Sequence, residues 1–112
     1  MADTGLQLLR GTLDMLILKT LTAGPLHGYA VAERIAERTQ GVLGIEDGAL
    51  YQSLHRMEER GWVESEWGRA PETGKRARYY RLTDEGCGQL RLETASFQRY
   101  VEAVFRVLEP AT

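Results

Sequence analysis

The sequence has a single cysteine, Cys87, only three prolines, and no long apolar run. A lone thiol cannot bridge to a second one in its own chain, so a disulfide-stapled fold is excluded and a reducing compartment fits. A membrane-spanning helix needs about 18 or more consecutive apolar residues, and no segment approaches that. The opening residues, Met1-Ala2-Asp3-Thr4-Gly5, lack the basic start of a secretory signal, so the expected location is the cytoplasm. There is no glycine-rich phosphate loop and no nucleophile elbow. His27, His55 and Cys87 are spaced in a way that matches no compact metal site. Glu58 and Glu59 are neighbours on a helix and diverge by about 100°, so they do not converge on one substrate. The expectation is a protein that is not an enzyme and needs no metal or cofactor.

What is present is ordinary in amount and uneven in placement. With 112 residues, 43% hydrophobic and 27% charged, the chain supports one domain, or one domain with an oligomerisation element. The net charge of −2 does not by itself announce a polyanion partner. Residues 1–67 hold six Lys/Arg against ten Asp/Glu, whereas residues 68–82 hold Arg69, Lys75, Arg76, Arg78 and Arg81 against Glu72 alone. Such a local patch steers a polyanion more than the total charge does.

The pattern predicts a first helix over about Leu9 to Thr22, with Leu9, Leu13, Leu16, Ile17 and Leu21 in one stripe. Met15 and Leu18 add apolar surface elsewhere, so this helix needs cover on more than one side. Either a partner subunit or the monomer's own core could supply it. Gly24-Pro25 breaks the chain. A second helix is predicted over about Gly28 to Thr39, with Val31, Ala32, Ile35 and Ala36 inward. A third follows over about Glu46 to Arg60, with Ile45 before it as a hydrophobic staple and Glu46 and Asp47 on the favourable end of the helix dipole. Leu50, Leu54 and Met57 recur at i, i+4 and i+7 on its inner face; Gln52, His55, Arg56 and Glu59 point outward. Gly48 and Ala49 leave its leading end nearly bare, and Gly61 stops it. Such a helix suits insertion into a DNA major groove, although an ordinary amphipathic surface helix would read the same way.

Two strands are predicted next, over about Trp62 to Trp67 and Ala77 to Leu82, with Tyr79 and Leu82, or Tyr80 and Leu82, inward according to register. The basic loop between them makes a wing whose cations can reach phosphates or a minor groove. A plain solvated hairpin is the alternative. Thr83 caps a last helix that runs to about Leu108, before Pro110. Cys87, Leu90, Thr94, Phe97, Val101, Val104 and Leu108 alternate steps of three and four, which is a heptad seam interrupted by Thr94. Leu90, Phe97, Val101, Val104 and Leu108 are therefore the candidate dimer interface, unless this helix folds back on its own domain. Trp62 and Trp67 are an odd number of positions apart, so an unbulged strand points them to opposite faces. One belongs to the core; the other, taken as Trp67, is a candidate to line an aromatic effector space near the seam with Met15, Phe97 and Tyr100.

The expected fold is mainly α with a small two-stranded β wing. It is a winged helix-turn-helix over residues 1–83 followed by a dimerisation helix over residues 84–112.

An ordered set of motifs resembles one family, the PadR-type winged-helix transcriptional regulators. It comprises Arg10-Gly11-Thr12-Leu13-Asp14-Met15-Leu16-Ile17-Leu18, Gly24-Pro25-Leu26-His27-Gly28-Tyr29, Gly48-Ala49-Leu50-Tyr51, Leu54-His55-Arg56-Met57-Glu58 and Gly61-Trp62-Val63, and it ends in Lys75-Arg76-Ala77-Arg78-Tyr79-Tyr80-Arg81-Leu82-Thr83-Asp84-Glu85-Gly86. The short C-terminal region is similar to the compact branch of that family, with a single C-terminal helix. The resemblance implies a homodimeric cytoplasmic repressor that binds double-stranded DNA at a pseudopalindromic operator and is released by a small aromatic or apolar effector. It implies that Tyr29, Tyr51 and Gln52 contact backbone or base edges, beside Gly48 and Ala49. It also implies that His55, Arg56, Lys75, Arg76 and Arg78 contact phosphates. The chain departs from the family pattern at Glu46, Ala49 and Gln52, where small hydroxyl residues and proline are common. Two other readings are a winged-helix adaptor that binds proteins without DNA, and a multidrug-type ligand sensor.

Overall fold

The computed structural model describes residue 8 and residues 11–110. Its elements are α1 (Thr12–Leu21), β1 (Leu26–His27), α2 (Gly28–Arg38), α3 (Asp47–Glu59), β2 (Val63–Arg69), β3 (Arg76–Leu82) and α4 (Asp84–Leu108). The predicted start of the first helix at Leu9 lies outside the described residues. The described helix begins at Thr12, after Gly11 turns the chain into the left-handed region at φ 89°.

The core is one cluster built from every element of the winged unit. Ile17, Leu18 and Leu21 of α1 meet Val31 and Ile35 of α2, Leu50, Leu54 and Met57 of α3, and Val63 and Tyr80 of the sheet. α1 lies at the centre and touches α2, α3, α4 and β3. Leu18 is fully buried there, so the monomer itself covers the extra apolar side of this helix. The i, i+4, i+7 stripe of α3 is buried as its spacing required. Ile45, just before the N-cap Glu46, packs against the same cluster as the staple position should.

Gly61 ends α3. Its φ of 80° favours glycine, its N–H donates to the Glu58 carbonyl, and the Trp62 N–H reaches back to the Met57 carbonyl. These paired bonds are a Schellman closure that satisfies the last carbonyls of the helix. The turn also anchors α4. The Thr83 hydroxyl lies 2.6 Å from the Gly61 carbonyl oxygen and accepts the Gly86 N–H at 3.0 Å, so one side chain caps α4 and ties it to the end of α3.

The sheet has three strands, in the order β1-β3-β2, all antiparallel, and not the two that the sequence suggested. The extra strand is only Leu26–His27, paired with Tyr80 and Tyr79. Two residues directly after Gly24-Pro25 are too few to show an alternating pattern, so the sequence carried no sign of them. β2 extends past Trp67 to Arg69, and β3 starts at Arg76, because Trp67 pairs with Arg78 and Arg69 with Arg76. In this register Tyr80 and Leu82 turn towards the core, opposite Ser65 and Val63.

The first part of α4 folds on its own domain. Leu90 packs against the core cluster, and the helix runs alongside α1. Beyond that it projects. The Cα radius of gyration is 15.9 Å, against about 13 Å for a compact chain of this length. Phe97, Val101 and Val104 stay half-buried, while Tyr100, Phe105, Val107 and Leu108 are exposed. At 100° per residue, Tyr100 and Val107 flank one side of the Phe97–Val101–Val104–Leu108 seam and Phe105 the other. No helix among the described residues is long and apolar enough to cross a membrane.

Candidate nucleic-acid interface

Three elements converge on one groove. The start of α2 contributes His27, Gly28 and Tyr29; the front of α3 contributes Tyr51; and the wing contributes Trp67, Glu72, Lys75, Arg76 and Arg78. The groove holds about 400 Å³. Tyr29 is 64% and Tyr51 47% exposed.

The floor is set by His27 and Gly28. His27 is the N-cap of α2, and its Nδ1 accepts the Ala30 N–H at 3.2 Å. An accepting Nδ1 leaves the proton of the neutral ring on Nε2, which faces the Glu72 carboxylate at 3.6 Å. His27 also meets the Tyr79 ring edge-on, with centroids 5.4 Å apart. One buried ring thus joins the start of α2, the sheet and the wing tip. Gly28 is the place where Tyr51 comes down. A Cβ on Gly28 would lie 2.6 Å from the Tyr51 phenol oxygen and within 2.8 Å of two ring carbons. Only a residue without a side chain lets the ring rest there.

The wing is an ordered hairpin. The Ala70 N–H donates to the Lys75 carbonyl at 2.8 Å, the Gly74 N–H donates to the Ala70 carbonyl at 2.7 Å, and Arg69 donates to the Gly74 carbonyl at 3.0 Å. Arg76 lies over the Trp67 ring at 4.3 Å and Arg78 at 5.5 Å from its centroid. Arg78 Nε also donates to Ser65 Oγ at 2.8 Å, and that hydroxyl donates to Glu58 Oε2 at 2.5 Å. Glu58 is on the last turn of α3, so this chain of bonds ties α3 to the wing. Arg81 pairs with Glu64 lower on the sheet. Among the described residues no carboxylate lies within salt-bridge distance of Lys75 or Arg76, which leaves both charges open to a polyanion.

The exposed front of α3 carries Gly48, with nothing within 4 Å of a Cβ added there, then half-buried Ala49 and exposed Gln52 and His55. His55 pairs with Glu59 one turn on, at 3.4 Å. Arg56 departs from the expectation that it faces outward to phosphate. Its Nη2 donates to both Asp14 oxygens, at 2.7 and 2.8 Å, and approaches Ser53 Oγ at 3.4 Å. The guanidinium is a clamp between α3 and α1. Asp14 precedes Arg56 by 42 positions, and one sequence holds no sign of that pairing.

The four candidate effector residues do not form one site. Met15, Phe97 and Tyr100 line a groove of about 600 Å³ between α1 and α4, with Gly11, Thr12 and Glu93. Trp67 stands on the wing with the arginines. The dimer candidate Leu90 is engaged with its own core. The capping role of His27 is absent from the sequence-based expectations, which placed it in the motif leading into the second helix and set it aside as a metal ligand; its position directly before that helix was the available clue.

A three-helix unit with a β-hairpin packed beside its third helix is a winged helix-turn-helix, a fold of DNA-binding regulators. The profile of the transcriptional regulator PadR-like family matches residues 17–92, and the chain belongs to that family. Its members are transcriptional regulators that bind DNA, not enzymes. An uncharacterised protein of Lysinibacillus sphaericus is 30% identical over 105 residues, 91% of this chain and 95% of its own. The structure of a PadR family transcriptional regulator from Eggerthella lenta matches with a TM-score of 0.77 and 36% identity, over 91% of this chain and 86% of that one. A transcriptional regulator from Clostridium thermocellum matches with a TM-score of 0.81 and 26% identity, covering 89% and 93%.

Proposed function

We propose that the chain is a cytoplasmic homodimeric repressor that grips a pseudopalindromic operator with α3 in the major groove and the wing on the flanking backbone. The observation that carries this reading is the convergence of Tyr29, Tyr51, Lys75 and Arg76 on one groove beside the bare front of α3. Phosphate contacts from such residues set register and affinity, while α3 side chains such as Gln52 read base edges. Arg78 contributes less than its charge suggests, because Glu58 already neutralises part of it.

Dimerisation through α4 is supported by the apolar face of Phe97, Val101, Val104 and Leu108, widened by Tyr100, Phe105 and Val107. A two-fold pair would present two reading helices to a symmetric site. The groove between α1 and α4, with Met15, Phe97 and Tyr100, is the proposed seat of a small aromatic or apolar effector. It adjoins the dimerising helix, so occupancy there could alter the separation of the two reading helices.

Selection of bound sequences from random duplexes, with the solution mass measured in parallel, tests the whole reading. Enrichment of a two-fold symmetric motif by a protein of twice the chain mass is expected. Absence of any enriched motif, or binding by single chains to an asymmetric site, would overturn it.

A further inference from the structure

Resting on the DNA-binding reading above, we infer that Trp67 is a positioning residue of the DNA interface, which holds Arg76 and Arg78 in the arrangement that a duplex backbone meets. Four observations lead there. First, in the β2–β3 register Trp67 lies opposite Arg78, and the next pair on the same face, two residues on, is Arg69 with Arg76. Side chains of paired residues share a face, so the ring and these cations stand on one side of the hairpin. Second, both guanidinium carbons lie over the indole, at 4.3 and 5.5 Å. An arginine stacked on an aromatic ring keeps its N–H edge free for phosphate while its face is covered.

Third, Trp67 is 53% exposed. So large an apolar ring at the surface stabilises the fold little, and its location in the groove with Tyr29, Tyr51 and Lys75 ties it to that groove's occupant. Fourth, the two arginines are restrained unequally. Arg78 has Ser65 and Glu58 as additional partners. For the Arg76 guanidinium, the ring is the one partner the structure gives among the described residues. Without the indole, Arg76 would keep its charge and lose its orientation. The effect of Trp67 therefore passes through Arg76 more than through Arg78.

The test is fluorescence anisotropy with a fluorescein-labelled pool of random-sequence duplexes, titrated at several KCl concentrations. The wild type, Trp67→Ala, Trp67→Leu, Trp67→Phe, Arg76→Ala and the Trp67→Ala/Arg76→Ala double variant are compared, with thermal unfolding as a check on folding. Loss of the ring should weaken binding about three- to tenfold and flatten the salt slope by about one unit in the Ala and Leu variants. Phe, which keeps a π face, should recover most of both. The double variant should bind like Arg76→Ala alone, since the ring acts through that arginine. A Leu variant equal to wild type, or losses that simply multiply in the double variant, would overturn the inference while leaving DNA binding intact. A wild-type chain that binds no duplex would overturn both it and the reading on which it rests.

Discussion

α3 and α4 are both amphipathic helices, and their apolar stripes have opposite fates. In α3 the stripe of Leu50, Leu54 and Met57 is fully buried, and the opposite side is left to polar residues and a bare glycine. In α4 only the first turns reach the core, through Gly86 and Leu90, and the later apolar residues stay half-covered or exposed. The difference teaches that a stripe is only a demand for cover. α3 meets that demand within the chain, which frees its outer face for a ligand. α4 outruns its own domain, and its later apolar face is left without cover from its own core, which is the basis for the dimer proposed above.

The comparison can be broken most severely at the wing that stands beside α3. Replacing Lys75, Arg76 and Arg78 together with Ala should weaken binding to every duplex and flatten the salt slope by about two to three units. An unchanged slope in a salt titration would remove the wing from the interface. Inside α3, Leu54→Ala should cost about 2–5 kcal/mol in denaturant unfolding, because a fully buried leucine leaves a cavity. On α4 the same kind of damage should read out differently. Val104→Glu with Leu108→Glu should convert dimer to monomer in sedimentation while changing the unfolding of the winged unit by no more than about 0.5 kcal/mol. If both variants unfold the winged unit equally, the contrast between the helices fails.

Two smaller effects sharpen the same contrast. Asp14→Ala removes the partner of Arg56 and should cost about 1 kcal/mol, since the guanidinium is partly exposed and water replaces some of the lost contact. It should not weaken DNA binding; if it strengthens it, a freed Arg56 reaches phosphate after all. Finally, burial raises the Tyr80 phenol above its ordinary value of 10.0, with Arg78 opposing and Glu58 adding to the rise. The folded chain then holds that proton more tightly than the unfolded one. Stability is present in full below the ordinary value and falls as pH rises through the folded one. Tyr80→Phe should remove this alkaline loss in melts recorded across that range.

Much of the site was legible one element at a time. The bare start of the third helix, the basic loop between two strands and the Thr83 cap each rest on neighbours within a few positions. The missing pieces span long separations. β1 was invisible because two residues make no period. The outward Arg56 of the helical wheel turned inward because Asp14 lies across the packed interface between α1 and α3. The effector candidates split because Trp67 follows the sheet register to the wing, whereas Met15, Phe97 and Tyr100 follow two helices to another face.

The amino-acid sequence alone determined the order of helices and strands, the inner face of α3, the stop at Gly61 and the crowding of positive charge between two strands. All of these depend on local periodicity, backbone freedom or composition, which act over a few residues. Tertiary structure alone decided which cations keep their charge open and which are already paired. It also decided that Tyr51 rests on Gly28, and that α4 leaves its own core after Leu90. Those outcomes depend on distances between residues far apart in the chain, and such distances exist only once the elements have packed.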